Sequence, residues 1–413
     1  MISDKQKMIL AFPYSSYDAI IMDGAIRSGK TSVGFLAYVD DIMRRYNGQM
    51  VIVAGKTVKS AVRNIIVPYK AMSYARKRYT INFRVSDNIM TVTRGSVTNY
   101  FHVFGGKDER SYELIQGCTA AGAFLDEVAL MPRSFVEQAL ARCSVENSKL
   151  WFNCNPDSPK HWFYEEWILG AAQKNALHVH FELSDNPSLS DKIISRYEAM
   201  YSGVFYDRYI KGLWVVAEGL VYQMQDDAIT CTPDDALGDG RGAWYISLDY
   251  GITNPFAAIL WRVTAKRAYA VKEYGFNSRK ENRRLTDEEH YSNVEKLAQY
   301  VDDQGNTRTR NIECIVIDPS ANSFKETIRR HGRFDYRNAK NDVIAGIAST
   351  TTMLDNGMVK VSYECEGFIA EKSLYRWDDK SDKDAVIKEH DHFADSVRYM
   401  CHTVLRNDLE GYE

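Results

Sequence analysis

A chain of 413 residues is long enough for two domains, each with a full core. Its 45% hydrophobic and 26% charged residues describe an ordinary globular protein, and a formal net charge of -3 excludes bulk attraction to polyanions, leaving local patches or a multi-subunit channel for such a role. Seven scattered cysteines without a C-x-x-C pair argue against a disulfide framework or a zinc site, and no apolar run reaches the length of a membrane span or forms a secretory h-region at the N-terminus.

In chain order, residues 1–20 carry Gln6 and Phe12, residue types able to hydrogen-bond and to stack on a purine; surface or core accounts for each equally well. A short apolar run, Ala19-Ile20-Ile21-Met22, then reads as a buried strand. It leads into Gly24-Ala25-Ile26-Arg27-Ser28-Gly29-Lys30-Thr31, which fits the phosphate-binding pattern G-x-x-x-x-G-K-[ST] at every required position. The glycines let the backbone curl so that N–H groups point inward. Lys30 can reach the β- and γ-phosphates, Thr31 can hold Mg²⁺, and the N-terminus of the following helix favours negative charge.

Met50 to Gly55 predicts a second buried strand, followed by a helix bearing Lys56, Lys59 and Arg63. Residues 81–104 alternate polar and apolar and predict a hairpin or meander inserted into the sheet. Gly122-Ala123-Phe124-Leu125-Asp126-Glu127 has the form of a Walker B strand: Asp126 as the Mg²⁺ carboxylate and Glu127 as the group that orients and deprotonates water. Asn153 and Asn155, at the carboxyl end of the next strand, are candidates for sensing the γ-phosphate. Aromatic and charged residues over 160–213, with two short helices around Ser202-Gly203, suggest a small lid.

The character changes at 214–238, where glycines and acidic residues read as a linker, dividing a first domain at 1–213 from a second at 239–413. A fresh α/β pattern begins there. Asp249 and Asp318 each end a predicted strand, and Asp391, His392 and Asp395 open a late helix. That is the layout of a ribonuclease H-like nuclease. Three gathered carboxylates cannot all stay charged without cations, and two Mg²⁺ or Mn²⁺ ions would satisfy them and activate water against a phosphodiester. Two basic clusters, Arg279 to Arg284 and Lys325 to Lys340, are candidate DNA-backbone contacts, with a solvated face as the equal alternative.

These motifs support a family. The P-loop with Arg27 inside it, the "FLDE" element followed by "NCNP", and above all "SLDYG", "IDPSANSF" and "KEHDHFADSVRY" resemble the large subunit of tailed-bacteriophage DNA-packaging terminases over essentially the whole chain. The resemblance implies an α/β P-loop ATPase that uses ATP and Mg²⁺ to drive double-stranded DNA into a procapsid. A ribonuclease H-like domain that cuts concatemeric DNA would follow it. By motif, Gly24, Ser28, Gly29, Lys30 and Thr31 bind nucleotide, and Asp126 and Glu127 are the Walker B pair. Arg27 matches a P-loop arginine finger, and Asn153 the position coupling hydrolysis to movement. Gln6 fits the adenine contact loosely. Asp249, Asp318 and Asp395 match the nuclease metal ligands, with His392 beside them. The family further implies a small terminase subunit, a portal, a homo-oligomeric ring and action in the host cytoplasm, with no membrane and no place in the mature virion. An ATP-dependent helicase–nuclease would need strand-gripping motifs that the sequence lacks. A non-catalytic ATP-gated scaffold is the other alternative, separable by metal-dependent DNA cutting.

Overall fold

A computed structural model describes residues 2–251, 255–302, 304–378, 381 and 384–406. The chain forms two compact units, Met1–Glu198 with Gly203–Val216, and Ala199–Ser202 with Ala217–Glu413.

The first unit is built on an eight-stranded sheet of order β3-β4-β5-β2-β6-β7-β1-β8. Its strands are β1 (Ala19–Gly24), β2 (Met50–Gly55), β3 (Thr80–Arg84), β4 (Ile89–Arg94), β5 (Val97–Gly105), β6 (Gly122–Asp126), β7 (Lys149–Asn153) and β8 (Ala176–Phe181). From β5 to β8 all neighbours run parallel. This explains why β1, β2 and β6 read as unbroken apolar runs: helices or loops cover both faces. The expected meander exists, but it extends one edge of the sheet and is not inserted into it, because β5 pairs with β2 on one side and β4 on the other. The helix Lys30–Arg45 lays Phe35, Tyr38, Val39 and Ile42 on the sheet, against Ile20, Met22, Phe124 and Trp151. Phe12 is fully buried, edge-on to Trp151 at 4.8 Å between ring centres, so it is core and presents no face to a base.

The second unit carries a seven-stranded sheet of order β16-β15-β10-β11-β12-β17-β9. These strands are β9 (Thr230–Cys231), β10 (Ala243–Asp249), β11 (Phe256–Val263), β12 (Ala268–Phe276), β15 (Ile312–Ile317), β16 (Tyr336–Asn338) and β17 (Val359–Ser362); β13 (Gln299–Val301) and β14 (Thr307–Thr309) form a separate hairpin. β10, β11 and β12 are antiparallel neighbours, and β15 then β16 add parallel to β10. This is the ribonuclease H-like arrangement that the strand-end aspartates suggested. Parallel pairing of β10 and β15 brings their carboxyl ends, and so Asp249 and Asp318, to the same edge.

The stretch expected to be a linker is largely structured. Thr230–Cys231 pairs with β17, and Pro233–Leu237 is a helix whose Ala236 is fully buried. Ala236 O accepts from Nε of buried Arg262 at 2.7 Å, and Asp235 O from its Nη2 at 3.2 Å. Gly/Asp-rich composition marked turns here, but not the pairing, which depends on a strand far along the chain. A fragment of residues 217–413 is therefore expected to unfold cooperatively. One beginning at 239 loses these two hydrogen bonds, the buried Ala236 and the pairing of Thr230–Cys231 with β17, and should be less stable by about 3 kcal/mol in urea unfolding.

Candidate active sites

In the first unit, Gly24 and Gly29 are glycine for steric reasons. Gly24 has φ 120°, and a Cβ there would meet Phe181 O at 2.0 Å; Gly29 has φ 87° and lies against the Gln6 amide. Arg27, at φ 55°, is held in the left-handed region at the exposed crest of the loop. Its carbonyl accepts from the Asn186 amide, and its guanidinium lies 6.0 Å from the Tyr197 ring centre. Gln6 is buried beside the loop and closes a capping box with Ser3, which fixes its amide at the phosphate-binding turn.

Lys30 is buried and folds back over the loop. Its Nζ donates to Gly24 O at 2.9 Å, Ala25 O at 2.6 Å, Ser28 Oγ at 3.3 Å and Asn155 Oδ1 at 3.2 Å. Burial lowers its pKa to about 8, against the raising influence of Cys154, Asp23 and Asp126.

Sheet order explains the rest of this site. β7 lies between β1 and β6, with Asn153 in register with Met22 on one side and Asp126 on the other. The Asn153 amide thus donates to Thr31 Oγ1 at 2.8 Å and also to Asp126 Oδ1, while Thr31 Oγ1 donates to Asp126 Oδ1 at 3.3 Å. Asn153 Oδ1 is buried and has no hydrogen-bond partner among the described residues. A hydroxyl, a carboxylate and an orphaned amide oxygen gathered in one place are hard oxygen donors, which suits Mg²⁺. Burial raises Asp126 to about 6 despite the Asn153 hydrogen bond, with Glu127 adding to the rise. Glu127 is a non-glycine residue at φ 57°, a strained conformation that turns its side chain away from the line of β6. Burial raises its pKa, and the charges of Lys56 and Arg63 oppose that.

Sequence reading missed the support beneath the loop. Asp23 is buried and accepts from Trp214 Nε1 at 2.8 Å, and its Oδ1 lies 2.7 Å from His178 Nε2 and 3.2 Å from His180 Nδ1. The two histidines alternate on β8, register partners of Ile21 and Asp23, and their spacing was the available signal. With Ile26 N donating to Tyr209 O at 2.9 Å, Trp214 straps the 203–216 segment onto the P-loop. Asp23→Ala removes the acceptor that this cluster shares and is expected to lower the stability of the first unit by about 3 kcal/mol, read by urea unfolding.

In the second unit, one cavity of about 1210 Å³ is lined by Asp249, Asp318, Asp391, His392 and Asp395 together with Glu273, Glu371 and Tyr399. Asp249 ends β10, Asp318 follows β15, and Asp395 sits in the first turn of the helix His392–Met400. Asp249 Oδ2 lies 2.8 Å from His392 Nδ1; burial raises its pKa, the His392 hydrogen bond opposes, and the charge of Asp395 adds to the rise. Asp318 accepts from Ser320 N at 2.6 Å, Asn341 Nδ2 at 3.1 Å and Tyr399 OH at 2.8 Å; burial alone would raise it, but hydrogen bonds from Ser320 and Tyr399 hold it below the usual range. Asp395 Oδ1 accepts from Arg398 Nε at 3.0 Å and Nη2 at 2.9 Å, leaving Oδ2 toward Lys388 at 3.7 Å. Among the described residues, no three His, Cys, Asp or Glu side chains form a finished metal cage. The fit to Mg²⁺ or Mn²⁺ therefore rests on donor chemistry: three carboxylates line one cavity, with Asp249 Oδ1 turned from His392 and Asp395 Oδ2 turned from Arg398 toward the exposed Lys388.

The motif "DSVRY" acquires physical roles. Ser396 Oγ bonds Ser247 Oγ at 2.8 Å and ties the helix to β10. Arg398 also donates to Asn341 Oδ1 at 3.2 Å, and Asn341 in turn holds Asp318, so one network joins two of the three carboxylates. Asp391 is the N-cap residue of the helix and lines the cavity; its carbonyl accepts from Asp395 N at 2.7 Å. Glu371 was not foreseen. It accepts from the Phe393 N–H at 2.6 Å and the Ala394 N–H at 3.1 Å, anchoring the helix that presents His392 and Asp395. Burial pushes it up to about 7, opposed by these amides.

Fold and sites together define a P-loop ATPase unit followed by a carboxylate-bearing ribonuclease H-like unit. A family model described as terminase large subunit, T4likevirus-type, N-terminal, matches residues 21–228. The whole chain is similar to the large terminase of a thermophilic bacteriophage, with a TM-score of 0.89 and 42% identity over 98% of this chain and 99% of that one. The same phage protein in complex with ADP matches with a TM-score of 0.88 and 41% identity, and in complex with ATP-gamma-S with 0.87 and 40%, each over 98% of this chain and 100% of that one. Comparison with curated proteins finds no match. The chain belongs to the terminase large-subunit family, enzymes of DNA packaging that join an ATPase to a nuclease. No helix among the described residues is long and apolar enough to cross a membrane.

Proposed function

We propose that this chain hydrolyses ATP at the P-loop to move double-stranded DNA into a procapsid, and that its second unit cuts concatemeric DNA at the Asp249, Asp318 and Asp395 cavity. The observation that carries the reading is the gathering of these three distant aspartates on one cavity, in a chain whose other unit sets Thr31, Asp126 and Asn153 in mutual contact. In the motor, Lys30 would leave the loop carbonyls for phosphate oxygens, Thr31 and Asp126 would hold Mg²⁺, and Glu127 would take the proton of the attacking water. Arg27, at the crest, would reach the transferring phosphoryl group, and Gln6 would lie toward the base. In the nuclease, Asp249, Asp318 and Asp395 would hold two Mg²⁺ or Mn²⁺ ions, which supply a water of lowered pKa and stabilise the leaving oxygen. His392, oriented by Asp249, would relay a proton. A small terminase subunit, a portal, a homo-oligomeric ring and the host cytoplasm complete the reading. The nucleotide complexes of the thermophilic phage's large terminase support its ATP half.

The test is ATP hydrolysis with and without duplex DNA, and plasmid cutting in Mn²⁺, by the full chain and by Lys30→Ala. The lysine variant should lose ATP turnover and keep cutting. Loss of neither activity would overturn the motor assignment.

A pH dependence follows from the site. Asp126 takes up a proton as pH falls through about 6, and a protonated carboxyl is a poor metal ligand. Lys30 loses its proton as pH rises through about 8, and a neutral amine cannot neutralise phosphate. Mg²⁺–nucleotide affinity should therefore be highest between these values and fall on both sides, as read by calorimetric titration across pH. Asp126→Asn should lower the maximum affinity and abolish the acid limb, while the limb near pH 8 persists.

A further inference from the structure

We infer that the loop 277–284 is the grip for the phosphodiester backbone of DNA at the nuclease cavity, and that the basic residues at 325–333 are not. The inference rests on the nuclease reading above and names its substrate contact.

Sequence alone left the two basic clusters equivalent. The structure separates them by what their charges already do. Lys325 is buried and donates to Pro319 O at 2.6 Å and Asn338 Oδ1 at 3.3 Å. Arg329 pairs with Glu326, Arg330 with Glu288 at 2.6 Å, and Arg333 with Glu295 at 2.6 Å. Lys325, Arg330 and Arg333 tie this stretch to neighbouring elements, Arg329 pairs within its own helix, and the field of these four is largely neutralised locally.

The loop after β12 is different. Asn277 Oδ1 accepts from the backbone N–H groups of Arg279 at 3.0 Å and Lys280 at 3.2 Å, and Asn277 O from Glu281 N at 3.0 Å. These bonds close a compact turn that leaves Arg279, Lys280 and Arg284 exposed, with no carboxylate partner among the described residues. Arg283 alone is engaged, with Glu289 at 2.5 Å. Arg279 and Lys280 line the cavity that holds Asp249, Asp318 and Asp395. Arg279 also lines a neighbouring cavity of about 540 Å³ with Arg283 and Arg284. A row of unpaired cations thus starts at the carboxylate cavity and continues away from it, which suits a chain of successive phosphates and not a single anion. Glu281 and Glu389 also line the larger cavity, so the row and not the cavity as a whole is basic.

The experiment uses the full chain carrying Arg279→Gln, Lys280→Gln and Arg284→Gln, beside a control carrying Arg329→Gln and Arg333→Gln. All five positions are exposed, and equal thermal midpoints check the folding of both variants. Duplex cutting in Mn²⁺ is followed against DNA and KCl concentration. With three phosphate contacts gone, the slope of log(kcat/KM) on log[KCl] should flatten by about 2.7, KM should rise about tenfold or more, and kcat should stay within about twofold. Arg279→Lys with Arg284→Lys should restore most of KM, because a phosphate contact needs the charge more than the fork. The control should match wild type. An unchanged KM and salt slope in the loop variant, or an equal loss in the control, would overturn the inference. Wild type that cuts no DNA would overturn the nuclease reading and this inference with it.

Discussion

Glu127→Gln is expected to bind Mg²⁺–nucleotide with affinity close to wild type and to hydrolyse it at least about 10²-fold more slowly, the contribution of a positioned general base. Asp126 ends β6 in regular extended geometry and so stays beside Thr31 and Asn153. The next residue reverses to φ 57°, which sends the Glu127 side chain elsewhere. A left-handed glutamate costs about 1 kcal/mol or more, and such strain persists where surrounding structure imposes it. The two carboxylates are thus separated by one backbone reversal into a metal position and a base position. Burial raises the Glu127 pKa against the opposing charges of Lys56 and Arg63, and a raised pKa makes the carboxylate a stronger base. An amide at 127 keeps the shape and loses the basicity. Single-turnover measurement separates the outcomes: binding retained with turnover lost supports the assignment, and turnover at the wild-type rate would sink it.

Much of this was legible in the sequence. The P-loop is a local pattern whose glycines answer to contacts within the loop and with β8 and Gln6, so eight consecutive residues carried it. Strand-end aspartates were legible because parallel pairing of β10 and β15 sends both to one edge. What stayed hidden were partnerships between residues far apart in the chain. Asp23 reads as one more strand residue until β8 places His178 and His180 beside it. Glu371 looks like surface charge on a helix until the N-terminus of another helix, 22 residues later, donates two amides to it. Thr230–Cys231 is too short to register as a strand without β17. The basic residues could not be sorted at all, since whether an arginine is spent on a neighbour depends on tertiary pairing.

Replacing any one of Asp249, Asp318 or Asp395 with Ala is expected to cut duplex cleavage about 10³-fold, the consequence of losing about 4 kcal/mol of metal-borne transition-state stabilisation. Losses should be strongly non-additive, because one missing ligand already collapses the metal pair. ATP hydrolysis should survive, its groups all lying in the other unit. The three positions are not equivalent in what their removal leaves behind. Asp395→Ala strands the Arg398 guanidinium, whose side chain is 1% exposed, and should destabilise the second unit; Asp395→Asn keeps an acceptor there and isolates the loss of charge. Asp249→Ala frees His392 and removes a carboxylate whose charge is disfavoured by burial and by Asp395, so it should cost little stability without metal. Mn²⁺ should raise the melting temperature of wild type more than that of any of the three variants, a readout independent of cutting. His392→Ala should be milder, since its Nδ1 is engaged with Asp249 and an imidazole is a poor Mg²⁺ ligand. Asp391 is the decisive control: it lines the same cavity from the N-cap position, with Lys388 Nζ 3.5 Å from its Oδ2. Full cutting by Asp395→Ala together with loss in Asp391→Ala would move the third ligand to the N-cap, whereas loss in Asp395→Asn with near wild-type cutting by Asp391→Ala keeps it on the first turn.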